Sequence, residues 1–222
     1  SWRLHNVEEY RVGIVIPAYN EELTISQVVY SVKGHGCVIV INDASTDRTK
    51  KIAEDAGAIV INHKQNEGYD SALRSGFKKA FEIGVDAVIT FDADGQHSSE
   101  MLKEYIKYLK NGKDLVLGIR PNPARISEWL FMVYTRIRFN WKDPLCGMKG
   151  YSMNLYKKQG FFDSYNSINT ELAIFGLLHE FSYIQIPIPI IKRQDNPRFS
   201  STIRSNFYIV LALIKTIKNR KG

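Results

Sequence analysis

The chain has 222 residues, 44% of them hydrophobic and 24% charged, which excludes a disordered chain, a collagen-like repeat and a disulfide-stapled mini-protein. Its formal charge is +7, and the segment from Lys192 to Gly222, with eight basic residues against one acidic, accounts for all of it. A broad nucleic-acid-binding face is therefore not expected, whereas a local task for the basic C-terminus is. The two cysteines, Cys37 and Cys146, sit in apolar runs and read as buried free thiols in a reducing compartment. The opening SWRLHNVEEY is polar, so no signal peptide is expected. The longest apolar run, FYIVLALI at 207–214, falls well short of the ~18 residues needed to cross a bilayer.

The first 120 residues alternate between two textures. Runs rich in β-branched residues at Val12–Ile16, Val38–Ile41, Ile59–Ile61, Ala87–Phe91 and Leu115–Gly118 read as strands. Between them, Leu23–Val32, Thr46–Ala56, Tyr69–Ile83 and Glu100–Lys110 carry apolar residues at helical spacing. This alternation predicts an α/β fold with an open, mostly parallel sheet and helices on both faces. The strands are nearly continuous apolar runs, as doubly covered strands should be. Further along, Ser127–Phe139 and Thr170–His179 read as helices, the second with Glu171 in its first turn. Tyr183–Ile191, punctuated by Pro187 and Pro189, reads as an edge strand.

In such sheets ligands bind beyond the carboxyl ends of the strands, and the informative motifs fall there. The first strand runs into PAYNEE (17–22), where Tyr19 offers a flat ring and Glu21 a carboxylate; a plain strand–turn–helix junction would use the same residues. The second ends in VINDASTDRT (40–49). Asp43 is placed there to accept the ring N–H of a uracil or guanine, or only to build the turn, with Ser45 capping the next helix. The third leads into NEGYDSALRSGF (66–77), where Gly68 suits a positive φ and Arg74 meets a ligand or lies as an ordinary surface arginine.

The fourth strand gives FDADGQHSSE (91–100), the sharpest signal. In an extended run residues i and i+2 point to one side, so Asp92 and Asp94 are expected to converge. Two converging carboxylates repel each other and hold extra protons unless a cation is present. Mg2+ is usually held by one or two carboxylates plus substrate phosphates, so a divalent ion arriving with a diphosphate suits the pair. Gln96 and His97 stand next to complete the shell. The plain alternative is an Asp–Gly turn that closes a strand. A P-loop, a dinucleotide-binding glycine fingerprint and a G-x-S-x-G elbow are all missing.

PAYNEE, NDASTD, NEGYDSALRSGF, FDADGQH and DPLCGMKGY come in an order and spacing that resembles family 2 glycosyltransferases of the GT-A fold, most closely the polyprenyl-phosphate transferases of the dolichyl-phosphate mannosyltransferase type. The resemblance runs from about Arg11 to Arg204. The apolar run 207–214 and the basic residues after it read as a C-terminal helix at 205–222, and the resemblance implies a catalytic domain over residues 1–204. It implies that Pro17, Ala18, Tyr19, Glu21 and Asp43 hold the nucleotide, with Gly68, Arg74, Asp92 and Ala93 completing the donor site. Asp92, Asp94 and Gln96 would bind Mg2+ or Mn2+. Arg120 and Glu171 line the acceptor side, with Asp94 the third catalytic candidate, and Arg198 and Arg204 grip a phosphate. This chain departs from the family pattern at Asn42, where a second Asp is usual, and in RFSSTIR, where a glycine is lost and the cation shifted.

The expected reaction is an inverting, metal-dependent transfer of a hexose-type sugar from a UDP- or GDP-sugar to a polyprenyl phosphate. The expected location is the cytoplasmic face of a membrane, with the basic apolar helix meeting anionic head groups. A saccharide hydroxyl acceptor with Glu171 as base is the alternative. A sugar nucleotidyltransferase is disfavoured because PAYNEE is acidic where a triphosphate loop would be basic. A non-catalytic binding module is disfavoured by the intact Asp92, Asp94 and Gln96.

Overall fold

The structure is a computed structural model that describes residues 9–121, 126–189 and 202–219. These form β1 (Val12–Ala18), α1 (Ile25–Val32), β2 (Cys37–Asn42), α2 (Thr49–Asp55), β3 (Ile59–Asn62), α3 (Tyr69–Glu82), β4 (Ala87–Thr90) and α4 (Met101–Lys110). There follow β5 (Leu115–Ile119), α5 (Ile126–Phe139), β6 (Lys149–Ser152), α6 (Met153–Gln159), α7 (Glu171–Leu178), β7 (Tyr183–Pro187) and α8 (Thr202–Asn219).

One seven-stranded sheet runs in the order β3-β2-β1-β4-β6-β5-β7. Strands β3, β2, β1 and β4 are parallel, as are β5 and β7, and β6 lies antiparallel between β4 and β5. The α/β class and the five expected strands are present, and β7 is an edge strand. The sequence reading left β6 and α6 unassigned. KGYS is four residues long and mixes Lys and Gly with one aromatic, so it has no period-2 signal. Its central place in the sheet is a tertiary outcome. For α6 a local signal existed, because Ser152 Oγ accepts from Leu155 N at 3.2 Å and Gly160 closes the helix at φ 88°.

The pleat sends alternate residues to opposite cores. Ile14 and Ile16 join Val40, Phe91, Leu102 and Tyr105 under α1, α2 and α4. Val15 joins Ile41, Phe77, Trp141, Tyr151 and Leu172 under α3, α6 and α7. Burying each such side chain contributes roughly 1.5–3 kcal/mol. Helix α3 lies so close to the sheet that a Cβ on Gly76 would sit 2.2 Å from Val15 Cγ1.

The run 207–214 lies on α8, which packs on α5 through Phe131, Ile209 and Ala212. Tyr208, Val210, Ile214 and Ile217 stay exposed, so the helix is covered on one side only. Lys215, expected to face head groups, instead donates to Tyr165 O at 3.2 Å. Among the described residues no helix is long and apolar enough to cross a membrane. Cys37 and Cys146 are both free thiols, with Cys146 buried and Cys37 partly so.

Candidate active site

The carboxyl ends of β1, β2 and β4 are stitched into one assembly. Asn20 N donates to Ser45 Oγ at 2.9 Å, and Thr46 N donates back to Asn20 Oδ1 at 2.8 Å. Glu21 N donates to Thr49 Oγ1 at 2.8 Å, and Thr24 Oγ1 donates to Ala93 O at 2.7 Å. Two of the turns need left-handed backbone at non-glycine residues, Asn20 at φ 54° and Ala44 at φ 60°. Such conformations persist where the surroundings over-determine them and gather at functional sites. Ser45 therefore does not cap α2, which starts at Thr49, three residues later than expected. The expected donor residues Pro17 and Ala18 close β1 opposite Ile41 and Asn42, and Tyr19 stands 44% exposed at the mouth. Glu21 is buried.

Asp43 is buried and heavily engaged. Its Oδ1 accepts from Glu67 N at 2.9 Å and meets His63 Nδ1 at 2.7 Å, while Oδ2 accepts from Gly68 N at 2.8 Å. Gly68 adopts the expected positive φ, 90°, at the start of α3. Asp43 thus holds the Asn66–Gly68 turn, and three of the sites a base N–H would seek are taken. His63 Nε2 in turn meets Ser75 Oγ at 2.8 Å. The trio resembles a hydrolase triad in its bonding, but Ser75 lies inside α3, where helix bonds occupy the backbone N–H groups an oxyanion would need. Asn42 pairs with Asn62 across the strands, Nδ2 donating to Oδ1 at 3.0 Å, an uncharged contact in which an aspartate at 42 could not be the donor. Arg74 is exposed and donates to Ser71 Oγ at 3.0 Å, which in turn reaches Glu67, so it braces the same turn from outside.

Strand β4 ends at Thr90, and Ala93–Asp94 form a turn. The extended geometry from which convergence of Asp92 and Asp94 was expected is therefore absent at Asp94. The turn itself brings both to the strand end, where Asp94 Oδ1 accepts from Gln96 N at 3.0 Å. The Asp92 side chain keeps 30% exposure, and its Oδ2 meets the buried His97 Nε2 at 2.7 Å. Burial pushes the Asp92 pKa up, but His97 and then Lys149 outweigh it, and the carboxyl sits below its ordinary value. His97 Nδ1 is buried without a hydrogen-bond partner. His97 therefore backs the carboxylate and does not point to the ligand side, contrary to its expected place in a metal shell. Among the described residues no three His, Cys, Asp or Glu converge as a ready metal cage. Two half-exposed carboxylates and an amide instead fit a hard cation that shares its shell with a diphosphate.

The acceptor-side residues are placed differently from expectation. Arg120, at the end of β5, is clamped by Asp143 through Nε and Nη2, both at 2.9 Å, and Nη2 also reaches Glu128 at 3.3 Å. Although burial disfavours its charge, Asp143 and Glu128 hold its pKa above the ordinary value. Two acids on one guanidinium leave that cluster net negative, so Arg120 is not a free cation awaiting a phosphate. Glu171 opens α7, and its carboxylate accepts from Ser164 N and Oγ at 2.5 and 2.8 Å. Half-burial raises its pKa in spite of those bonds. Arg198 lies outside the described residues, as do residues 122–125 that follow Arg120. Arg204 falls on α8, but its side chain is not described.

Several residues that shape the site carried no sequence signal. Asp70 accepts from Ile168 N and Asn169 N at 3.0 and 2.7 Å, pinning a turn whose residues Asn166, Ile168 and Asn169 are all left-handed. Asn169 Nδ2 reaches Gly147 O at 3.4 Å, and Gly147 lies against Asp92. The DPLCGMKGY segment is thereby the wall between the Asp92 carboxylate and the Glu171 turn. These contacts join residues up to 99 positions apart, beyond any local pattern.

The sequence matches the Glycosyl transferase family 2 domain over residues 13–168. It is 36% identical over 138 residues to the UDP-N-acetylglucosamine–dolichyl-phosphate N-acetylglucosaminyltransferase of Methanococcus voltae, a match covering 53% of this chain and 55% of that one. It is 30% identical over 162 residues to the undecaprenyl-phosphate mannosyltransferase of Micrococcus luteus, covering 64% and 66%. The chain thus aligns with between half and two thirds of the length of these relatives. Its fold matches glucosyl-3-phosphoglycerate synthase of Mycobacterium tuberculosis, solved with Mn2+, uridine diphosphate and phosphoglyceric acid, with TM-score 0.71 and 20% identity over 92% of this chain and 78% of that one. With the family domain spanning most of the chain and the GT-A sheet beneath it, the protein belongs to glycosyl transferase family 2 and is a glycosyltransferase.

Proposed function

We propose that the enzyme moves a hexose-type sugar from a UDP- or GDP-sugar to a polyprenyl phosphate, with inversion at the anomeric carbon. The observation that carries the reading is the Asp92–Asp94–Gln96 turn at the end of β4, tied through Thr24 to the PAYNEE loop. The two relatives named for dolichyl and undecaprenyl phosphate support the acceptor class. Asp92, Asp94 and Gln96 would hold Mg2+ or Mn2+ together with the diphosphate. The ion, when bound, supplies Lewis-acid stabilisation of the charge on the leaving diphosphate, worth several kcal/mol.

The chain's own residues do the rest. Tyr19 and the β1–β2 loops receive the nucleoside, with Asp43 setting the turn that faces it. A lipid phosphate is already an anion near pH 7, so it needs cations to position it and no general base. Arg198 and Arg204 serve that purpose, and Arg120 joins them only by sharing its clamp with Asp143 and Glu128. The second reading, transfer to a saccharide hydroxyl, is favoured by the raised pKa of Glu171, which suits a base. Asp94→Ala should abolish metal-dependent donor turnover, and full activity would refute the donor site. Glu171→Gln should leave transfer to a polyprenyl phosphate within a few-fold of wild type; near-complete loss would favour the hydroxyl acceptor.

Contact with a membrane surface through α8 belongs to the same reading, since the exposed Val210, Ile214 and Ile217 recur at helical spacing on one face with Lys218 beside them. Cutting the chain after Arg204 should weaken co-sedimentation with anionic liposomes. Unchanged binding would remove the surface contact from the proposal.

A further inference from the structure

Lys149 is the one buried lysine among the described residues, at 1% exposure. It stands on β6, in the CGMK stretch to which the donor and acceptor reading gives no chemical task. Its Nζ donates to Cys146 O at 2.7 Å and lies 5.6 Å from the centroid of the Trp141 ring. Its backbone N–H donates to Thr90 Oγ1 at 3.1 Å, and that hydroxyl donates to Gly147 O at 2.6 Å. Thr90 ends the strand that delivers Asp92, and a Cβ on Gly147 would touch the Asp92 carboxylate. Lys149 is thus wired to the back of the Asp92 turn from within the core. Burial drags its pKa down to about 8, against the opposing pull of Cys146 and Asp143, so the ammonium form still predominates at pH 7. An ammonium out of water is costly, and an apolar side chain of similar volume would fill the space without that cost.

We infer that Lys149 is a positioning residue whose fixed positive charge, behind Asp92, biases the site toward a bound diphosphate and against a bare metal ion. The inference rests on the reading of Asp92 and Asp94 as the diphosphate site. A fixed cation attracts an anion and repels a cation, and through a dry core neither effect is strongly screened. The sign of the charge makes the two ligands respond in opposite directions, which loss of packing does not do.

Two variants separate charge from contact. Lys149→Met removes the charge and the hydrogen bond to Cys146 O, and Lys149→Gln removes the charge but keeps a donor. Binding of UDP and of GDP without metal, and of Mn2+ without nucleotide, is measured on wild type and both variants. Each variant should bind the preferred nucleotide about tenfold more weakly and Mn2+ as tightly as wild type or tighter. A parallel loss of both ligands marks a packing role and overturns the inference. Wild-type nucleotide affinity in either variant overturns it too. Should Lys149→Met fail to fold, Lys149→Gln decides alone. A wild type that binds neither nucleotide, with or without Mn2+, refutes the donor site itself, which keeps the two failures apart.

Discussion

Gly147 sets the position of Asp92 by having no side chain. A Cβ there would lie 2.4 Å from Asp92 Oδ2 and 3.0 Å from its Cγ, whereas ordinary contact begins near 3.4 Å. In Gly147→Ala the carboxylate must therefore retreat by about 1 Å, pulling against His97, or the segment leading into β6 must shift. Gly147 is not among the residues with positive φ, so alanine meets no backbone obstacle and the effect is steric. A misplacement of that size costs about a hundredfold in rate, equivalent to ~2.7 kcal/mol of barrier. The stability cost of overpacking is about 1–3 kcal/mol. The assay is kcat/KM for donor turnover at saturating Mn2+, with Tm recorded alongside. Gly150→Ala is the control, because its Cβ, three residues further along the chain on β6, would crowd Leu109 and Tyr105 of α4 at 3.1 and 3.2 Å without touching Asp92. It should lose stability and keep its rate. A folded Gly147→Ala enzyme with wild-type kcat/KM would refute the reasoning, since Asp92 would then tolerate displacement.

Two further outcomes follow from packing and burial. Gly76→Ala should destabilise the protein by about 1–3 kcal/mol in urea titrations despite alanine's better helix propensity, because its Cβ would lie 2.2 Å from Val15 Cγ1 and 2.9 Å from Ile41 Cδ1; unchanged stability would mean that α3 can lift off the sheet freely. Burial and then Asp163 push the pKa of Asp70 from 3.8 up to about 6. The folded state then holds that proton more tightly than the unfolded chain, so this group's contribution is present below the unfolded value and is lost as pH rises through about 6. The loss amounts to about 3 kcal/mol. Relative to Asp70→Asn, the wild type should therefore lose stability between about pH 4 and pH 6 in denaturant titrations, and a constant difference across that range would contradict the assignment.

The α/β class and the placement of the motifs at strand ends were legible in the sequence because both rest on local chemistry. β-branched runs must be strands when helical stripes flank them, and ligand-binding turns in such sheets fall at carboxyl ends. The left-handed Gly68 was legible for the same reason, since a backbone demand is written in residue type. The family, too, could be read from five motifs in order. Side-chain commitments were not legible. Arg120 looked like a phosphate ligand until the fold set Asp143 and Glu128 on it. Asp43 looked free for a base until the turn at Gly68 closed on its carboxylate. His97 looked like a metal ligand until its ring proved to lie behind Asp92. Strand β6 is buried only because the sheet closes around it, and Lys149 with it. A hydrogen bond is decided by which groups meet once water is excluded. Residue identity sets what each group can do, and the packing of distant segments decides which of those things it does.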